Sequence, residues 1–325
     1  MKKSNGFAIV SGRTNPPLVE KVANHLGVKP VFLDTKPWGN GYPRCLRQKD
    51  VTFQQKKVFI ITSLQYRGDG SPVEELEMMF EACGSASEIH IILTWFCTKD
   101  DIDHGAGQIT NVTMITRRIV DLNPKSINCF DLHQGSHIGY FAPLRRRRFY
   151  FLRLLIEDAK EVGIDQIAGT DISSSKRALK MEEFLQTKQS IVYASKVHDH
   201  SRENQLASHQ VDGLVTGQKV GIFDDMALTL GTLKKTAQTL KETGAKAIYA
   251  YAPHFDPTPV TYDNLTECFH EGWLTAFTTT NSTLIDEKFL NLGSKFRVVD
   301  VSGFLSDVIT SIIEGKSTSE YFDDI

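Results

Sequence analysis

The sequence predicts an α/β protein built as two similar halves, and three observations carry that prediction. Short β-branched or apolar runs alternate with longer segments of helical period, the pattern of βαβ units around a parallel sheet. One unit recurs: a strand at 57–63, a helical stretch and a strand at 89–93 are echoed by 219–225, a helical stretch and 248–252. In both copies the paired strands lie about thirty residues apart, the size of a crossover.

Residues 7–11 (FAIVS) read as the first strand. Pro16 and Pro17 then open a helix, because the first helical position needs no amide donor; Leu18, Val22 and Leu26 share its face and Gly27 ends it. After the strand 57–63 (KVFIITS), Val73, Leu76, Phe80 and Cys83 recur at helical spacing. An apolar segment closes at Phe130 and is followed by Asp131, Leu132 and His133. Ala168 and Gly169 end a strand before Thr170, Asp171 and a serine-rich turn, and the strand-like 191–193 precedes Lys196. In the later copy, the strand runs into Asp224 and Asp225, and Leu230, Leu233, Ala237 and Leu240 mark the helix.

Length and composition bound the function. At 325 residues the chain has room for about two domains of roughly 150 residues. Lys plus Arg is 37 and Asp plus Glu is 39, a formal net charge of −2, so no global positive field favours a nucleic-acid partner. Cys45, Cys83, Cys97, Cys129 and Cys268 are scattered and form no CxxC pair, which points to neither a zinc site nor a disulfide framework and suits a reducing compartment. No apolar stretch approaches the roughly 18–20 residues of a membrane span, so the expectation is a cytoplasmic protein without a membrane partner.

Ligands of open α/β sheets sit beyond the carboxyl ends of the strands. There the second half places Asp224 and Asp225, then a turn with Thr229, Leu230, Gly231 and Thr232, then a helix. A helix N-terminus offers unpaired amides, glycine lets an anion approach the backbone, and threonines add donors, so the pattern suits a phosphate. Two acids upstream suit ribose hydroxyls or a hydrated Mg²⁺. The same residues also read as caps and solvated acids. Asp131 and His133 could approach one ion or one phosphate; a zinc pair of His133 with His137 is opposed by Gly135 and Gly139, which break a regular helix. Asp171 is a further strand-end carboxylate, and Lys196 is a cation able to neutralise phosphate. The run Arg145–Arg148 reads either as an anion site or as a solvated face. His25 and His254 read as structural.

Together these elements resemble the ribose-phosphate diphosphokinases, the phosphoribosyl pyrophosphate (PRPP) synthetases, nearly end to end. FAIVSGRTNPPLVEKVANHLGV, KKVFIITS, DLHQGSHIGYF, FDDMALTLGT, GAKAIYAYAPH and IIEGKSTSEYF fall in the family's order and spacing. The resemblance implies two type I phosphoribosyltransferase-like halves, each a mainly parallel sheet flanked by helices. The first would comprise 1–143 plus 306–325, and the second, 144–305, would carry the ribose-phosphate loop. It also implies a homo-oligomer, dimer or hexamer, and a reaction that moves the β,γ-diphosphate of ATP to the 1-hydroxyl of ribose 5-phosphate, with Mg²⁺, releasing AMP. By matched position Asp224 and Asp225 would hold the ribose, and Thr229, Leu230, Gly231 and Thr232 the 5-phosphate. Asp171 would touch sugar or metal, His133 would coordinate Mg²⁺, Lys196 would stabilise the transferring diphosphate, and the turn with Trp38, Asn40 and Tyr42 would meet the nucleotide.

The chain departs from the family at three places. The basic nucleotide loop is replaced by 98–104 (TKDDIDH), which exchanges cations for acids. The Trp38–Tyr42 turn keeps an aromatic but loses both carboxylates of the usual Phe-Pro-Asp-Gly-Glu. Leu228 stands where the family has Asp, and Leu230 where it has Ala or Gly. An intact ribose site beside altered loops suits either ribose 5-phosphate or a larger acceptor, ADP-ribose, as in a phage relative of this type. The alternatives are a catalytically silent regulatory subunit of a PRPP synthetase assembly and a PRPP-consuming phosphoribosyltransferase.

Overall fold

The computed structural model describes residues 6–68, 70–98, 110–169, 181–187, 191–196, 209–212 and 215–321, with backbone alone for 193–196, 209–212 and 320. Asp171 and most of the 98–104 segment lie outside the described residues. The chain divides into two compact units: Met1–Tyr150 with Asn281–Leu284 and Asp300–Asp324, and Phe151–Thr280 with Ile285–Val299.

The first unit holds strands β1 (Phe7–Ser11), β2 (Val31–Phe32), β3 (Lys57–Ser63), β4 (Glu88–Trp95), β5 (Ser126–Phe130) and β6 (Arg146–Phe149). They form one sheet in the order β2-β1-β3-β4-β5-β6, and every pairing is parallel. Its helices are α1 (Pro16–His25), α2 (Pro72–Ala82), α3 (Asn111–Asp121) and, from the end of the chain, α8 (Ser302–Ile313). Strand β3 is buried along all but its first residue, as expected of a strand covered on both faces. Val58, Ile60, Ile91 and Cys129 pack one face against Leu76 and Met79 of α2 and Ile119 of α3. On the other face Phe304 of α8 meets Phe130 and Phe149 edge-on, at ring separations of 6.3 and 6.4 Å.

A polar chain crosses that second face. His90 is buried with its ring stacked on Phe59 at 4.9 Å, its Nδ1 2.8 Å from Ser126 Oγ and its Nε2 3.4 Å from Glu88. Burial pushes the His90 imidazole down to about 4, in spite of the carboxylate beside it. Asn128 Nδ2 donates to Ser126 Oγ at 3.2 Å, and Arg147 Nη1 donates to Asn128 Oδ1 at 3.1 Å. The solvated-face reading of the arginine run therefore holds only in part. The run is mostly strand β6; Arg145 and Arg146 are exposed, Arg147 is buried in the polar chain, and Arg148 lies 5.1 Å over the Tyr150 ring.

The second unit contains α4 (Leu152–Val162), β7 (Gln166–Gly169), β8 (Val192–Lys196), β9 (His209–Asp212), β10 (Lys219–Phe223), β11 (Met226–Ala227), α5 (Gly231–Glu242), β12 (Ala247–Tyr251), β13 (His254–Phe255), α6 (Thr261–His270), β14 (Ala276–Thr280), α7 (Glu287–Leu290) and β15 (Phe296–Val299). Its seven-stranded sheet runs β15-β14-β12-β10-β7-β8-β9, parallel except for the β8–β9 pair. Strand β10 is central, and Val220 and Ile222 sit in a core with Leu233, Ala237 and Leu240 of α5.

In each sheet the winding reverses once near its start. The chain leaves β1 for β2 on one side and returns to β3 on the other; it leaves β7 for β8 and β9 and returns to β10. The crevices at the carboxyl ends between β1 and β3, and between β7 and β10, are where such sheets take ligands.

Candidate functional site

The loop from Asp224 to Leu230 follows the central strand of the second sheet. The Asp224 N–H donates to Tyr251 O at 2.9 Å, and its Oδ1 accepts the Asp225 N–H at 2.9 Å, so the first acid shapes the turn. Asp224 is half-buried, and Asp225 is only 5% exposed. Strand β11 then pairs in parallel with β13, which fixes the course of the loop.

Helix α6 holds the loop by its carbonyls. Thr261 Oγ1 donates to Leu228 O, and Asn264 Nδ2 donates to Thr229 O at 2.8 Å. At Leu230 the backbone turns left-handed, with φ 62° and ψ 10°, and the Lys234 N–H donates to Leu230 O at 2.9 Å as the helix begins. Leu230 has no polar atom to cap α5, and its side chain, 6% exposed, is part of the core with Leu233 and Ala237. This corrects the sequence reading that counted Leu230 within the helix. It also shows how a leucine occupies the turn, because the side chain faces inward while Thr229, Gly231 and Thr232 remain exposed.

The first amides of α5 have no intrahelical acceptors and sit at the positive end of the helix dipole. Gly231 is not needed for the backbone: a Cβ there would meet nothing nearer than Thr229 Oγ1 at 3.8 Å. What glycine leaves open is the space in front of the amides. The Gly231 N–H reaches Thr229 Oγ1 at 3.4 Å, and two carboxylates followed by an exposed helix start make a shape that suits a hydroxylated and phosphorylated ligand.

The other candidates are distributed. Trp38, Asn40 and Tyr42 come together in a tight turn of the first unit, closed by Trp38 N–H to Tyr42 O at 2.9 Å and Tyr42 N–H to Asn40 Oδ1 at 3.2 Å. Trp38 is 54% exposed and Tyr42 71%, and the Arg44 guanidinium lies 4.8 Å from the Trp38 ring centre. His133, half-buried, follows β5 and the buried Asp131, whose φ is 40°. Gly135–Phe141 forms a 3₁₀ helix, so His133 and His137 do not share a regular α-helix. Lys196 ends β8 in backbone, and Asp171 is outside the described residues. Among the described residues no three His, Cys, Asp or Glu side chains converge as a metal cluster, and no helix is long and apolar enough to cross a membrane.

Sequence reasoning missed the α6 clamp. Thr261 and Asn264 lie more than thirty residues beyond the carbonyls they bind, and no local pattern connects them.

Two mainly parallel sheets, each with its winding reversed near the start, define a doubly wound α/β protein, with a helix N-terminus behind paired strand-end acids in the second. The family model for the N-terminal domain of ribose phosphate pyrophosphokinase matches residues 7–114, and that for the phosphoribosyl synthetase-associated domain matches residues 161–323. The chain belongs to the ribose-phosphate pyrophosphokinase (PRPP synthetase) family. It is 28% identical to ribose-phosphate pyrophosphokinase 2 of Schizosaccharomyces pombe, covering 98% of each chain. It is 27% identical to the ribose-phosphate pyrophosphokinase of Chlorobaculum tepidum, covering 97% of this chain and 94% of that one. The fold matches the crystal structure of phosphoribosylpyrophosphate synthetase from Mycobacterium smegmatis with a TM-score of 0.84 at 22% identity, over 96% of this chain and all of that one.

Proposed function

We propose that this protein transfers the β,γ-diphosphate of ATP to the 1-hydroxyl of a ribose 5-phosphate moiety and releases AMP. The observation that carries the reading is the Leu230 turn, which buries a bulky side chain and leaves the start of α5 open to a phosphate. Thr229, Leu230, Gly231 and Thr232 would bind the 5-phosphate through backbone amides and hydroxyls, and Asp224 and Asp225 would hold ribose hydroxyls. The exposed Trp38 and Tyr42, with Asn40, would receive the nucleotide. Transfer of this kind needs positioning and charge neutralisation more than covalent chemistry, and Lys196 would supply a cation to the diphosphate.

Mg²⁺ bound to phosphates needs only one or two protein ligands and prefers oxygen, so Asp171 suits it best, with the half-buried His133 as the second contact. When bound it would neutralise charge on the diphosphate. A homo-oligomer, dimer or hexamer, is part of the proposal, and light scattering measures it.

A second acceptor, ADP-ribose, is favoured by the exposure of Thr229, Gly231 and Thr232, which leaves one flank of a bound phosphate open to extension. The test is AMP formation from ATP and Mg²⁺ with ribose 5-phosphate and ADP-ribose offered separately, and product mass read in each. A diphosphate added to ribose 5-phosphate supports PRPP synthesis, and one added only to ADP-ribose supports the larger acceptor. No AMP with either, from folded oligomer, would sink both and leave the regulatory-subunit reading. Asp225→Ala should abolish turnover in either active case.

A further inference from the structure

The reversal of winding between β1 and β3 has a cavity of its own. It measures about 250 Å³ and is lined by Arg13 and Thr14 after β1, by Gln65, Arg67 and Gly70 after β3, and by Glu75 of α2. All of these residues belong to the first unit.

Its frame is fixed by hydrogen bonds. The buried Glu75 Oε1 accepts the Arg13 N–H at 2.5 Å and the Thr35 hydroxyl at 2.7 Å, and Arg13 Nη2 lies 3.3 Å from Glu75 Oε2. Gly12 permits this approach, since a Cβ there would stand 2.0 Å from Glu75 Oε1. Gln65 is committed in both directions to Leu284: its Oε1 accepts the Leu284 N–H at 3.0 Å, and its Nε2 donates to Leu284 O at 3.4 Å. Arg67 Nη1 donates to that same carbonyl at 3.3 Å. Gly70, at φ +120°, keeps the wall beside Arg13 low; a Cβ would come within 3.6 Å of Arg13 Nη2.

Among the described residues the charges on this lining are two guanidiniums and one carboxylate, and the carboxylate is engaged in holding Arg13. Guanidinium forks match phosphate oxygens in geometry as well as charge. We infer that this cavity is a phosphate-binding site of the first unit, taking inorganic phosphate or the phosphate of a small ester between Arg13 and Arg67. The inference rests on the cavity's own residues and is independent of the proposed reaction.

Equilibrium dialysis of the full chain with radiolabelled inorganic phosphate tests it. Gly231→Val serves as the parent, since its side chain obstructs the anion position at the start of α5. The parent should retain one phosphate site per chain, Arg67→Ala should weaken that site about tenfold, and Arg67→Glu should remove it. Arg67 is exposed, so matching unfolding midpoints check that the fold is kept. Equal binding by the parent and its Arg67→Glu derivative, or no millimolar binding by the parent, would overturn the inference. Competition with ribose 5-phosphate and with ADP separates the sources. Displacement by either at lower concentration than by phosphate assigns an ester, and failure of both assigns inorganic phosphate.

Discussion

Replacing Leu230 by glycine should cost less stability than replacing it by alanine, the reverse of the usual order beside a helix. Leu230 has φ 62° and ψ 10°, yet its side chain lies in the core of the second unit. A left-handed backbone costs a residue with a Cβ about 1–2 kcal/mol and costs glycine almost nothing. Burial of a leucine side chain stabilises by about 1.5–3 kcal/mol, and truncation in a packed core loses about 2–5 kcal/mol. Alanine would lose that packing and keep the backbone cost; glycine would lose slightly more packing and be relieved of the strain. The net difference should favour glycine by about 0.5–1 kcal/mol, after allowing for its freer unfolded chain. Because a chain of two units need not unfold in one step, the assay is hydrogen exchange at the Lys234 amide, whose acceptor is Leu230 O. Slower exchange in the glycine variant than in the alanine variant is expected. The opposite order would refute the assignment of strain to this residue.

Gly231→Ala should leave the unfolding midpoint within about 0.5 kcal/mol of the parent, because its Cβ meets nothing nearer than 3.8 Å. It should raise the acceptor KM about tenfold by crowding the phosphate, as steady-state kinetics would show. His90, held neutral by burial at a pKa of about 4, becomes protonated near pH 6.5 once unfolded, so the unfolded state binds more protons between those values. Stability should therefore fall as pH drops from about 6.5 to 4, and urea midpoints of His90→Gln should show a flatter profile. Gly12→Ala should destabilise the chain by about 2–3 kcal/mol through collision with Glu75, and the same substitution on Glu75→Ala should cost clearly less; additive losses in this double-mutant cycle would contradict the contact.

The strands were legible because parallel strands covered on both faces write themselves as continuous apolar runs; 7–11 and 57–63 correspond to β1 and β3 residue for residue. The strand-end acids and the start of α5 were legible for a related reason, since a strand, a turn and a helix N-terminus are contiguous in sequence. The left-handed backbone at Leu230 was not, because propensity places leucine in a helix, although the spacing to Leu233 and Ala237 already turned its side chain toward the core. Nor was the ordering of the arginine run, since Arg147 depends on Asn128, a residue of a neighbouring strand. The Gly12, Arg13 and Glu75 cluster was hidden for the same cause: Glu75 lies more than sixty positions from Gly12 and Arg13 and meets them only through the fold.

The two reversal points share a topology but would hold an anion by different means, and the helix that follows each one explains why. Helix α2 begins with Ser71 accepting the Glu74 N–H at 3.4 Å, proline at its first position, and Glu74 and Glu75 in its first turn. Its amides are thus partly used and its positive end is already met by carboxylates, so it offers little to a phosphate. Helix α5 begins after a leucine; its Gly231 N–H reaches Thr229 Oγ1 at 3.4 Å, but no acid stands in its first turn to oppose the dipole. An anion in the first unit must be held by side chains, and Arg13 and Arg67 line the cavity where it would sit. The duplicated fold supplies two crevices, and the first turn of each helix would decide whether backbone or guanidinium fills the role of donor.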